Sequence, residues 1–259
     1  MKEHQNSTYG LSTPAGFGES TTRVGDHHVY AVHSEPRDGK PILMIHGAIV
    51  SHRYLIPTAE LLAAKHQVFA PDLPGHGESD KPEHALPVLE QAELLKGWLQ
   101  ENRLERICVV ANSYGCAIAV ELAIMAPDVV TDLILTSPAS DPEQPSVFGQ
   151  ALRLIKDSPG EHPLMGAVLI RDAFTIGIER GLETCQIMVD YDYRPRLPLI
   201  KMRTLVVRGG ADPLVPEGWA NEVSALIPDS SVFVIEKAPH DVTFSSPKEL
   251  AEAIEDFLR

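Results

Sequence analysis

The chain alternates between two hydrophobic patterns. Short, nearly unbroken apolar runs at residues 42–45, 67–70, 107–111, 132–136, 204–207 and 232–235 read as strands, several of them buried on both faces. Between them, residues 54–64, 90–99, 116–125, 216–226 and 248–258 recur with the spacing of helices that bury one side. Strand and helix in alternation predict an α/β fold, a mostly parallel central sheet flanked by helices. Ahead of it, residues 21–24 and 28–33 flank Gly25-Asp26 and predict a hairpin. The first twenty or so residues, rich in Ser, Thr and Gly, predict a loose arm or an edge strand.

The alternation stops at Pro138. From there to Pro198 the pattern holds three helix-like stretches, 145–156, 164–177 and 178–190, and no convincing core strand. Roughly sixty residues exceed a plain loop and fall short of a separate catalytic domain. The expected division is therefore a core, residues 1–137 and 199–259, with a helical insertion at 138–198.

One junction stands out. The strand at 107–111 passes into the helix at 116–125 through Asn112-Ser113-Tyr114-Gly115 with almost no connector. Ser113 is the one aliphatic hydroxyl of the turn, with Ala111 two places before it and Gly115 two places after. Small neighbours let strand and helix ends approach, and so tight a turn strains the serine backbone, as in a nucleophile elbow.

Composition removes several alternatives. A formal charge of −14 argues against nucleic acid, which needs Lys and Arg on its phosphates, and against a basic membrane-surface helix. The three cysteines, Cys108, Cys116 and Cys185, have no metal-ligand spacing, and the first two sit in apolar elements as small hydrophobes. The polar N-terminus has no apolar signal core, and no run reaches membrane-spanning length, so the expected location is cytoplasmic. No cofactor or metal is expected.

A serine hydroxyl needs a base within reach and an acid to orient that base. In an open parallel sheet, reactive groups gather at the carboxyl ends of strands. Asp212 follows the strand at 204–207 on a Gly-rich turn, and His240 follows the strand at 232–235. The order Ser113, Asp212, His240 is that of an α/β-hydrolase. Asp141, past the strand at 132–136, is the rival for the acid.

With His46-Gly47-Ala48, Asp72-Leu73-Pro74-Gly75-His76-Gly77-Glu78-Ser79, Asn112-Ser113-Tyr114-Gly115, Gly210-Ala211-Asp212-Pro213 and His240 in order, the chain resembles the α/β-hydrolase superfamily over nearly its whole length. It departs at Ala111, where glycine is usual. The resemblance implies Ser113 as nucleophile, His240 as base and then acid, and Asp212 as the group fixing the tautomer. It also implies an oxyanion hole from the backbone N–H groups of Ala48 and Tyr114. Residues 138–198 become a cap over the site, with Met165, Leu169, Phe174, Met188 and Tyr191 either lining a pocket or burying the cap on the core. His46 would brace the oxyanion loop, and Glu78-Ser79-Asp80 would fix a turn.

The expected function is a cofactor-independent serine hydrolase that cleaves a small carboxylic ester or related acyl substrate through an acyl-enzyme on Ser113. Lactones and the C–C bonds of β-diketone-type compounds yield to the same apparatus. An Asp nucleophile would have pointed to a dehalogenase or epoxide hydrolase. Readings of another class are a lyase or cofactor-free oxygenase, and a non-catalytic small-molecule-binding protein.

Overall fold

The computed structural model of the chain describes residues 12–141, 146–149 and 162–259. Eight strands form one sheet in the order β1-β2-β4-β3-β5-β6-β7-β8. They are β1 (Phe17–Val24), β2 (His27–Ser34), β3 (Gly39–Ile45), β4 (His66–Pro71), β5 (Ile107–Asn112), β6 (Val130–Thr136), β7 (Arg203–Gly209) and β8 (Ser230–Ile235). β1 and β2 form the expected hairpin; β2 runs antiparallel to β4, and every later pairing is parallel.

The helices are α1 (Ile56–Leu62), α2 (Val88–Glu101), α3 (Tyr114–Met125), α4 (Pro163–Ile176), α5 (Ile178–Asp190), α6 (Glu217–Leu226), α7 (Val242–Ser245) and α8 (Pro247–Leu258). Among the described residues two 3₁₀ turns, His52–Leu55 and Arg194–Leu199, join them. The first of these takes up the start of the helix expected at 54–64. The helix expected at 145–156 lies mostly outside the described residues.

The unbroken apolar runs are explained by two cores. In β5, Ile107, Val109 and Ala111 enter one apolar cluster, with α2, α3 and α6, while Cys108 and Val110 enter the other, with α1, α7 and α8. β3 divides the same way, Leu43 and Ile45 against Ile42 and Met44. Strand side chains alternate in direction, so a strand covered on both sides has no polar positions to show. Trp98 of α2 is fully buried, edge-on to Phe69 of β4 at 5.9 Å.

α3 is apolar all round because it is enclosed by the sheet and α2; every residue from Tyr114 to Ala123 is buried. Its one acid, Glu121, is fully enclosed and takes both Arg196 (2.7 and 2.8 Å) and the Tyr191 hydroxyl (2.7 Å). An unpaired charge there would cost several kcal/mol; paired, it pins the chain after α5 to the helix that carries the elbow. Among the described residues, no helix is long and apolar enough to cross a membrane.

Candidate active site

The strand order reverses at β3. The chain leaves β3 to lay β4 on one side, then crosses back to lay β5 on the other. Loops diverging above such a point leave a crevice at the carboxyl ends of the strands. Gly47 and Ser113 meet there: a Cβ on Gly47 would stand 3.5 Å from that of Ser113.

Ser113 has φ 53° and ψ −122°, a left-handed backbone that costs a non-glycine residue on the order of 1–3 kcal/mol. Flanking bonds hold it there. Its N–H donates to the Thr136 carbonyl of β6, and its carbonyl accepts from the Cys116 N–H, both at 3.0 Å. Gly115 makes the crossing possible, since a Cβ there would lie 2.6 and 2.8 Å from the His46 and Ile45 carbonyl oxygens. The methyl of Ala111, the irregular residue of the motif, is absorbed in the apolar cluster under α3.

His240 Nε2 lies 2.9 Å from Ser113 Oγ, and His240 Nδ1 lies 2.9 Å from Asp212 Oδ2. Asp212 Oδ1 accepts the N–H groups of Leu214 (2.8 Å) and Val215 (3.1 Å). Burial works against ionisation of Asp212. The facing His240 and the Leu214 N–H outweigh it and hold the carboxyl below its usual range. An ionised Asp212 only accepts, so the His240 proton sits on Nδ1 and Nε2 is left to accept from Ser113.

The loop after β3 is fixed by two buried histidines. Leu73 N–H donates to His46 Nε2 at 2.9 Å, which leaves the His46 proton on Nδ1 to donate to the Gly47 carbonyl at 2.8 Å. Burial, with His76 alongside, pushes His46 down to about 3, so the ring stays neutral. The Gly47 carbonyl and the Ala48 N–H share one trans peptide and point in opposite directions. Drawing the carbonyl toward His46 therefore turns the Ala48 N–H away from it. His76 Nε2 then donates to the Ala48 carbonyl at 2.6 Å. Tyr114 is the first residue of α3, where an N–H has no acceptor within the helix.

Asp72, fully buried, braces the loop after β4. It accepts the His52 N–H (2.7 Å), His52 Nδ1 (2.9 Å) and the Glu78 N–H (2.8 Å), and its carbonyl accepts Ser79 Oγ (2.7 Å). Gly77, at φ 48°, is required because a Cβ would fall 1.9 Å from the Asp72 carboxylate. The Asp-x-x-Gly-His-Gly-Glu-Ser run is thus a brace for the loops after β3 and β4.

Ser113 and His240 open onto a cavity of about 170 Å³. Its walls are mainly apolar: Val50, Tyr54 and Leu214 from the core, and Met165, Leu169 and Met188 from α4 and α5. Phe174, expected as a candidate for the lining, points outward at 86% exposure, and Tyr191 is engaged with Glu121. Cys185 also lines the cavity.

Sequence reasoning missed the tie between the insertion and the core. Arg53 is buried, donates to Glu78 (2.6 Å) and reaches Asp172 of α4 (3.4 Å), itself wholly enclosed. Burial raises the Asp172 carboxyl. A lone Arg and a distant Asp carry no spacing signal, so only the fold brings them together. Among the described residues, no group of three or more His, Cys, Asp or Glu could hold a metal ion.

A model of the alpha/beta hydrolase family matches residues 42–253. The chain is 31% identical over 119 residues to a haloalkane dehalogenase of Mycobacterium marinum, covering 44% of this chain and 40% of that protein. It is 24% identical over 242 residues to the dihydrolipoyllysine-residue acetyltransferase component of an acetoin cleaving system from Pseudomonas putida, covering 85% and 64%. The chain thus spans less than two thirds of the length of these curated relatives. Among solved structures it resembles the enol-lactonase of Burkholderia xenovorans (TM-score 0.77, 18% identity, 92% of this chain and 99% of that one). It also resembles E-2-(acetamidomethylene)succinate hydrolase (TM-score 0.78, 20% identity, 93% and 99%).

Proposed function

The chain belongs to the α/β-hydrolase family, and from that premise we propose that it is a cofactor-independent serine hydrolase that cleaves a small carboxylic ester or related acyl compound. The observation that carries this reading is the hydrogen-bonded line from Ser113 through His240 to Asp212, opening onto the cavity.

Ser113 Oγ attacks the carbonyl carbon while His240 Nε2 takes its proton. The oxygen that becomes negative is held by the Ala48 and Tyr114 N–H groups, each worth a few kcal/mol to the transition state. His240 returns the proton to the leaving alkoxide, and the C–O bond breaks to leave Ser113 acylated. Water, deprotonated by His240, attacks the acyl carbon; collapse restores Ser113 and releases the acid. Asp212 keeps the His240 proton on Nδ1 and balances the charge the ring gains. His46 and His76 are positioning residues for the oxyanion peptide.

The described part of the insertion at 138–198 acts as the cap, with α4 and α5 shaping the substrate cavity. An apolar cavity of about 150 Å³ accommodates benzene, so one of about 170 Å³ suits an acyl or alcohol group of about six carbons. The elbow carries Ser113 where displacement of halide would need a carboxylate, so the dehalogenase match does not bring that reaction with it.

The test is labelling with a fluorophosphonate, followed by a panel of p-nitrophenyl esters, lactones and β-diketones. Wild type is expected to take one adduct on Ser113 and to turn over a short ester. Ser113→Ala is expected to do neither while unfolding at the same temperature. Undiminished hydrolysis in Ser113→Ala would overturn the proposal.

A further inference from the structure

One lysine beside the catalytic machinery has no part in the scheme above. Lys81 follows the loop after β4, and its ammonium turns back on that loop. Nζ donates to the carbonyls of His76 (3.1 Å), Gly77 (2.8 Å) and Ser79 (2.6 Å), as many acceptors as the group has protons. The chain coils here through Gly75 and Gly77, at φ 97° and 48°, and the three carbonyl oxygens converge on one point. Oxygens so placed repel one another unless a cation stands between them, and a charged donor binds each more strongly than a neutral one.

The grip matters because of where His76 points. Its ring is buried, and Nε2 donates to the Ala48 carbonyl at 2.6 Å. Burial, with a smaller push from the Lys81 charge, lowers the affinity of the ring for a second proton, so its single N–H is the one given to Ala48. On the other side of Ala48, His46 holds the Gly47 carbonyl. The two peptides that meet at Ala48 are therefore fixed from both sides. Asp72 braces the same loop further on, at the Glu78 N–H and Ser79 Oγ. Lys81 reaches His76 itself, whose carbonyl it shares with the Ser79 N–H (3.2 Å).

We propose that Lys81 is a positioning residue for the oxyanion hole. Its ammonium sets the backbone of His76, and His76 sets the angle at which the Ala48 N–H meets the developing oxyanion. The inference rests on the reading of Ser113 as nucleophile and Ala48 as oxyanion donor. Lys81 touches neither the substrate nor the reacting atoms, so its loss weakens the hold on the transition state more than the hold on the substrate.

The experiment is a double-mutant cycle. Lys81→Met keeps the stem and removes the ammonium, and His76→Phe keeps a ring and removes the N–H. Turnover of a short p-nitrophenyl ester is measured per active site, counted by fluorophosphonate labelling taken to completion. In Lys81→Met, kcat is expected to fall on the order of 10-fold with KM within about two-fold. In the His76→Phe background the same change should lower kcat by less than about two-fold, because two residues acting through one contact do not add. A kcat within about two-fold of wild type, a loss that falls on KM, or an equal loss in both backgrounds would overturn the proposal. Lys81→Gln retains two amide protons, is expected to lose about three-fold in kcat, and carries the same cycle if Lys81→Met does not fold. A Gln variant as active as wild type beside an unfolded Met variant would make Lys81 a framework residue and also overturn the proposal. Wild type that takes no label defeats the hydrolase reading itself, whereas labelled wild type with kcat unmoved by Lys81→Met defeats this inference alone.

Discussion

The two sides of the cavity are built on different principles. Its floor comes from strand ends, with Gly47-Ala48, Ser113, Asp212 and His240 each fixed by hydrogen bonds of 2.6–3.1 Å. Its roof is a pair of helices meeting at Gly177 and presenting Met and Leu side chains. Three of the roof's polar ties join residues that do not line the cavity: Arg53 to Asp172, Arg180 to the Pro82 carbonyl, and Glu183 to the Ala85 N–H at 2.8 Å. Hydrogen bonds are directional and fail over tenths of an ångström, while apolar contacts tolerate exchanges of similar volume. The floor is suited to fix a reaction and the roof to vary its substrate.

The sharpest way to break that contrast is at Asp212. Asp212→Asn should leave the fold and cavity intact but put the His240 proton on the wrong nitrogen, lowering kcat by about 10⁴-fold. Stopped assays with a short ester, beside an unchanged circular dichroism spectrum, check it. Near-wild-type turnover would transfer the acid role to Asp141.

Next in size is His46, which never meets substrate in this scheme. Replacing it with Leu should free the Gly47–Ala48 peptide and lower kcat by roughly 10- to 100-fold with little change in KM, less than the loss of a whole oxyanion donor. His46→Asn, which keeps a donor on the Gly47 side, should recover part of the loss. The same pair makes a stability prediction. Burial lowers the affinity of both His46 and His76 for protons, so the unfolded chain binds more protons below its histidine value. Stability from these rings is complete above about pH 6.5 and falls as pH drops toward about 3 for His46, by up to about 1.4 kcal/mol per pH unit for each ring. Urea titrations at several pH values should show this slope, reduced by one proton in His46→Leu. Equal slopes would mean that the ring is not held neutral.

The floor was legible in the sequence because each of its parts leaves a local mark. Gly115 and Gly77 are demanded by atoms less than 3 Å from where a Cβ would be, and Asp212 and His240 follow buried strands at once. Such requirements act within a few residues and survive as motifs. The roof left only a helical period. The 178–190 helix was read at its observed bounds, yet which of its faces meets the cavity depends on docking against a distant loop. The Arg53–Asp172 contact spans 119 residues.

The smallest prediction bears on the roof alone. Leu169 and Phe174 belong to the same helix and were indistinguishable by composition, but the structure puts Leu169 on the cavity wall and Phe174 86% in solvent. Leu169→Ala removes three carbons from the wall. It should shift the preferred chain length upward, changing the ratio of kcat/KM between a longer and a shorter ester by about 1–3 kcal/mol, or roughly 10- to 200-fold. Phe174→Ala removes a larger group and should move that ratio hardly at all, within about 0.5 kcal/mol. Both should leave the rate of fluorophosphonate labelling within a few fold, since neither touches a hydrogen bond of the floor. If instead Leu169→Ala depressed labelling as strongly as His46→Leu, the helices would be aligning the reacting groups as well as enclosing substrate, and the separation of roof from floor would have to be given up.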